Sequence, residues 1–87
     1  MAGKMPLLRA VTMTGVPVPM GLTSEGLFDI ELGAPSTNGA AVNVTAGSGT
    51  IPMVPGEFHF FKSVDLSNFI CNGAAPNVIE AIGQVAL

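Results

Sequence analysis

From Leu27 onward the chain alternates apolar and polar residues with period two, broken by Gly, Pro, Asn and Ser clusters. Leu27–Leu32 places Phe28, Ile30 and Leu32 on one face and Asp29 and Glu31 on the other, the signature of a half-buried strand. Gly33–Gly39 is a turn cluster. Ala40–Ala46 alternates again, with Val42, Val44 and Ala46 opposite Asn43 and Thr45, and Gly47-Ser48-Gly49 supplies a tight turn. Thr50–Val54 carries Pro52, which has no backbone donor and so belongs at a sheet edge or bulge. Beyond the Pro55-Gly56 turn, Glu57–Lys62 is the most aromatic stretch, with Phe58 and Phe60 on one face beside Lys62. Asp65–Asn68 reads as a turn or a single helical turn, and Phe69–Cys71 as a short strand. Asn72-Gly73 signals a hairpin lengthened by Ala74-Ala75-Pro76. Asn77–Gly83 is the last strand, with Val78, Glu80 and Ile82 opposite Ile79 and Ala81. The buried face expected from this pattern is Phe28, Ile30, Val42, Val44, Ile51, Phe58, Phe60, Phe69, Val78 and Ile82.

Residues 1–26 follow a different rule. Pro6, Pro17 and Pro19 forbid a long helix, and each proline pushes the residue before it into extended backbone. Four of the five methionines lie here. Methionine is flexible and moulds to irregular surfaces. The segment is expected to be an extended arm, with at most a short strand over Leu7–Met13, lying across a neighbouring subunit; the alternative is an ordinary first strand followed by a surface loop. In the arm reading, Met5, Leu7, Leu8, Met13, Val16, Val18 and Met20 are the partner-binding residues. The expected organisation is thus an arm over 1–26 and a domain over 27–87. That domain is all-β, a compact β-sandwich or small barrel of six to seven short antiparallel strands.

Composition sharpens the functional side. Only 10% of the 87 residues are charged, against about 25% in average soluble domains. A monomer of this size relies on surface charge to stay soluble, so much of the surface is expected to face other protein. A chain this short buries only roughly 60–65% of its unfolded surface. With one Cys and one His it has neither a disulfide nor a four-ligand zinc site to help it. Oligomerisation is the supplement that remains. The net charge of −3 argues against a nucleic-acid partner, which needs clustered Lys and Arg. Gly or Pro interrupts every apolar run well before the roughly 20 residues of a membrane-spanning helix. The start, Met-Ala-Gly-Lys-Met-Pro-Leu-Leu, has no signal-peptide core, and together with a lone thiol it predicts synthesis in a reducing cytoplasm.

Little chemistry is available to converge. His59 is the one imidazole, and Glu57, two residues away on the same strand face, is its nearest carboxylate in sequence. Cys71 sits among Phe69, Ile70 and Ala74, an apolar setting that disfavours thiolate. Asp29 and Glu31 read as the solvent side of a strand rather than a calcium site or an acid–base pair. Gly47-Ser48-Gly49-Thr50 lacks the Lys and the following helix of a phosphate loop. Asn43-Val44-Thr45 matches the glycosylation pattern by chance alone. No catalytic, cofactor or metal residues are expected.

From about Val42 to Gln84 the chain resembles small bacteriophage virion proteins. The features that carry the resemblance are a strand, the Gly-Ser-Gly turn, Ile51, Val54-Pro55-Gly56-Glu57-Phe58 and the aromatic strand. Val64-Asp65-Leu66-Ser67, Phe69-Ile70, Gly73-Ala74-Ala75 and a final Val/Ile strand follow. Phage capsid decoration (cement) proteins and related head or tail accessory proteins are similar in size and style. The resemblance implies a non-enzymatic structural subunit made in the host cytoplasm and carried on the virion surface. Its implied partners are copies of itself, as a homotrimer or other homo-oligomer, and the major capsid protein or another virion protein. A tail or head-completion protein is the nearest alternative. A small ligand- or sugar-binding β module is the alternative from another class, although it would ordinarily use the Trp and Tyr this chain lacks.

Overall fold

A computed structural model describes residues 6–86. They form two four-stranded antiparallel sheets packed face to face, a β-sandwich. The strands are β1 (Pro6–Thr12), β2 (Val18–Pro19), β3 (Phe28–Gly33), β4 (Val42–Ala46), β5 (Gly49–Met53), β6 (Phe58–Val64), β7 (Ile70–Asn72) and β8 (Val78–Val85). One sheet has the order β1-β8-β3-β6 and the other β2-β7-β4-β5. Only β4 and β5 are joined by a two-residue hairpin; Gly47, at φ +59°, supplies the positive φ such a turn takes first. Every other connection crosses between the sheets. The Asn72-Gly73 signal is one of these crossings and not a hairpin: β7 pairs with β2 and β4, while β8 pairs with β1 and β3. Leu66–Asn68 is the single helical turn, capped where the Asp65 carboxylate accepts from the Ser67 N–H at 3.0 Å.

The amino-terminal segment is not an arm from Pro6 on. β1 pairs with β8 over seven residues, from Pro6↔Gln84 to Thr12↔Val78. Leu7, Met13 and Met20 are buried in the chain's own core, and Val18 packs against it. The Met13 and Gly15 N–H groups donate to the Asn77 and Gly73 carbonyls at 2.7 and 3.0 Å. Arg9 ties the following loop back by donating to the Met20 carbonyl at 3.0 Å and pairing with Glu25 at 2.8 Å. The physical reason is supply. The carboxy-terminal strand β8 needs a partner on each side, and the sandwich needs more apolar volume than residues 27–87 provide. Methionine fills the irregular space between two twisted sheets, and Met13, Met20 and Met53 are all but fully buried. Of the expected partner-binding residues, Leu7, Met13 and Met20 are therefore core, Leu8 and Val16 are exposed, and Met5 lies outside the described residues.

Two strands present the face opposite to the one expected. On β8 the buried residues are Ile79 and Ala81, leaving Ile82 exposed and Val78 half-buried. On β6, Phe61 packs inward, edge-on to Phe69 with ring centres 5.2 Å apart, while Phe58 and Phe60 point out. Ile51 pairs with the buried Val44 but sits on the edge strand β5 and stays partly exposed. Phe28, Ile30, Val42, Val44 and Phe69 are buried as expected.

Candidate functional site

The outer faces of the two sheets differ in chemistry. The outer face of the β2-β7-β4-β5 sheet is largely polar. Asn72, Asn43 and Pro52 form one cross-strand row, and in the next Thr45 and Thr50 share a hydrogen bond of 2.7 Å beside Ile70. The outer face of the β1-β8-β3-β6 sheet sets large exposed apolar side chains among carboxylates. Its register sets Leu8, Ile82, Glu31 and Phe60 in one row across all four strands. Ala10, Glu80, Gly33 and Phe58 form the row beside it. Leu8 is 78% exposed, Phe60 81%, Ile82 49% and Phe58 48%. Leu8 was expected to contact a partner from an arm; here it stands on a sheet, beside three residues that sequence reasoning did not assign to a surface.

The backbone beneath explains the relief of this face. Gly33 is buried although it faces outward, because the Phe58 ring lies across it where a β-carbon would overlap the ring. An aromatic laid over a cross-strand glycine holds its place on a sheet. Phe60, one row away, has no such partner and projects. Beside it an open groove of about 500 Å³ is lined by Phe60, Glu31, Lys62, Asp29, Ile82 and Gln84. A second cleft, of about 300 Å³, continues it across Ile82 to Leu8, Ala10 and Glu80. At the β6 edge Ser63 bulges with φ +54°, and its N–H donates to the Asp29 carboxylate at 2.9 Å. A bulge with this tie twists an edge strand away from unwanted pairing.

Because Phe60 stands largely in solvent, Phe60→Ala is expected to leave stability within about 0.5 kcal/mol of the parent. The melting temperature should move by less than about 4 °C. Thermal unfolding followed by circular dichroism checks this; a loss of several kcal/mol would place the ring inside the sandwich.

The residues considered for chemistry lie apart from this face or are occupied. Glu57 closes the β5–β6 turn by accepting from the Val54 N–H at 2.9 Å, and it pairs with His59. The His59 hydrogen bond, followed by that of Val54, holds the Glu57 carboxyl below its ordinary value of 4.5. Cys71 is fully buried, and burial pushes its thiol up to about 11, where it is neither nucleophile nor ligand near neutral pH. Asn43, Thr45 and the Gly47 turn belong to the β4–β5 hairpin. Among the described residues no three His, Cys, Asp or Glu side chains stand together as a metal site, and no helix is long and apolar enough to cross a membrane.

Comparison of the chain with protein-family models, curated proteins and solved structures finds no match.

Proposed function

We propose that this chain is a non-enzymatic structural subunit of a virus particle, a capsid decoration protein that attaches to the outer surface of the shell. The observation that carries the reading is the exposed set Leu8, Ile82 and Phe60, in one row interrupted by Glu31 and with Phe58 beside it, on one sheet while the opposite sheet presents Asn and Thr. A free monomer seldom shows so concentrated an apolar face, and such faces are where proteins meet. Covering each of these side chains is worth roughly 1.5–3 kcal/mol, a scale that offsets the entropy lost when a small subunit is immobilised. The low charge content, the all-β build and the resemblance of residues 42–84 to virion proteins point the same way. The exposed loop residues Val16, Leu22, Leu27 and Val54 offer further apolar contact, to neighbouring copies of the subunit among others. A role in the tail or at the head vertex would use the same face.

The groove beside Phe60 favours one reading from another class, capture of a small apolar or sugar ligand. Quantitative mass spectrometry of purified particles separates the two. A structural subunit is expected at a fixed ratio to the shell protein, with its copies protected by the assembly. A chain absent from particles would overturn the virion role.

A further inference from the structure

We infer that the outer face of the β1-β8-β3-β6 sheet docks onto a protein surface that sets Lys or Arg side chains among apolar ones, and not onto a second copy of this chain. The inference rests on that face being the attachment surface proposed above, and it names the chemistry of what the face meets.

Glu31 stands in the register between Ile82 and Phe60, in the middle of the row. A partner that covers both of those side chains must also strip water from the carboxylate. Removing water from an unpaired carboxylate costs several kcal/mol unless a cation or hydrogen-bond donor replaces it. None of the described residues does so: their ion pairs are Arg9–Glu25 and His59–Glu57. The charge around Glu31 has the same sign. Glu80 flanks Ile82 on one side and Asp29 lines the groove on the other, with Lys62 as the cation that the described residues place there. Arg9, on the neighbouring edge strand, is committed to Glu25 and the Met20 carbonyl.

A second copy laid on this face would bring Glu31, Glu80 and Asp29 close to the same three carboxylates, with the two Lys62 ammonium groups as the cations that the described residues set between them. Like charges placed across an interface reject the pairing. Nucleic acid and anionic lipid carry the same sign as the face and are rejected for the same reason. A surface presenting Lys or Arg between apolar residues satisfies both halves. It covers Phe60, Ile82 and Leu8, and it gives Glu31 the donor that water had supplied. Arginine suits the site best, since its planar fork pairs with a carboxylate in two places and is weakly hydrated.

The test uses the protein's own face as the probe, with its charge reversed. Glu31→Lys/Glu80→Lys converts an acidic apolar face to a cationic one of the same shape, and neither carboxylate holds a hydrogen bond to another described residue that the change would break. Sedimentation velocity and titration calorimetry are run on the parent, on the variant and on their mixture. The expected result is a mixed complex at least about tenfold tighter than either self-association. It should weaken with added salt, as ion pairs do, and disappear when the parent carries Phe60→Ser. Self-association of the parent through this face as tight as the mixed complex would assign the face to a second copy and overturn the inference. A mixture that does not associate, or whose association is indifferent to salt and to Phe60→Ser, would overturn it as well. The particle measurement above is independent of this one. Mixed pairing with no chain on particles would remove the virion role alone, and chain on particles without mixed pairing would remove the charge argument alone.

Discussion

A chain that begins at residue 21 is expected not to fold. Removing residues 1–20 deletes β1 and β2, and with them the buried side chains of Leu7, Met13 and Met20. Deleting one buried Leu or Met side chain typically costs about 2–5 kcal/mol. A domain of this size holds a reserve of roughly 0.05–0.15 kcal/mol per residue, about 4–13 kcal/mol in all. Three such losses, about 6–15 kcal/mol together, are of the size of that reserve before the loss of the seven-residue ladder to β8 is added. β8 would then become an exposed edge flanked by apolar faces, a pairing hazard for the truncated chain. Far- and near-ultraviolet circular dichroism of the purified fragment is the check, and the expected outcome is an aggregating chain with no cooperative melt. A fragment that melts sharply near the full-length temperature would show that residues 6–20 are an arm after all.

Gly83→Ala is expected to be the most damaging small substitution. Gly83 sits on β8 opposite Ile30, beside the bulge where the register of β3 shifts between Phe28 and Ile30. A methyl group there would overlap the Asp29 carbonyl oxygen and lie 2.8 Å from the Ile30 α-carbon. Both obstacles are backbone, so no rotamer change relieves them, and the central β3–β8 pairing must open. Overpacking of this kind costs about 3 kcal/mol or more, which for a domain this small lowers the melting temperature by about 12 °C or more. Gly33→Ala is the internal control. The obstacles nearest to its β-carbon are atoms of the Phe58 ring, and an exposed ring swings aside at far lower cost. Thermal melts of the two variants side by side check the contrast; equal losses would mean that the close approach at Gly83 is relieved elsewhere.

Most of the strand pattern was legible in the sequence because alternation and turn residues are local signals. Phe28–Gly33, Val42–Ala46 and the Gly47 hairpin follow directly from them. Which face each strand buries was legible only where one face is polar. On β6 and β8 both faces are apolar, since the outward Phe58, Phe60 and Ile82 oppose the inward Phe61, Ile79 and Ala81. Hydrophobicity then favours the larger residues, which here point outward. A quieter signal was available: Lys62 shares a face with Phe58 and Phe60, and Glu80 shares one with Ile82. One charged residue marks the solvent side more reliably than two large apolar ones mark the core, because an unpaired charge is rarely buried. The same rule would have located the candidate surface.

The destination of residues 6–26 was not legible. Pairing of β1 with β8 joins the two ends of the chain, and neither strand's pattern names its partner. The prolines specify extended backbone, as observed at Val18–Pro19, but extended chain serves an arm and an edge strand equally. What decides is the volume the core lacks without Met13 and Met20, and that quantity appears only once both sheets are in place. The partner chemistry around Glu31 is legible only from the register, which brings Leu8, Ile82, Glu31 and Phe60 into line from four strands.

Attachment through this face is decided by the copy number of a Phe60→Ser/Ile82→Ser chain on purified particles, set beside its melting temperature in solution. The expected result is a melting temperature close to that of the parent and a chain largely lost from the particles, because both side chains stand on the proposed attachment face and outside the core. A variant that melts normally and still loads at the parent's copy number would rule out attachment through this face.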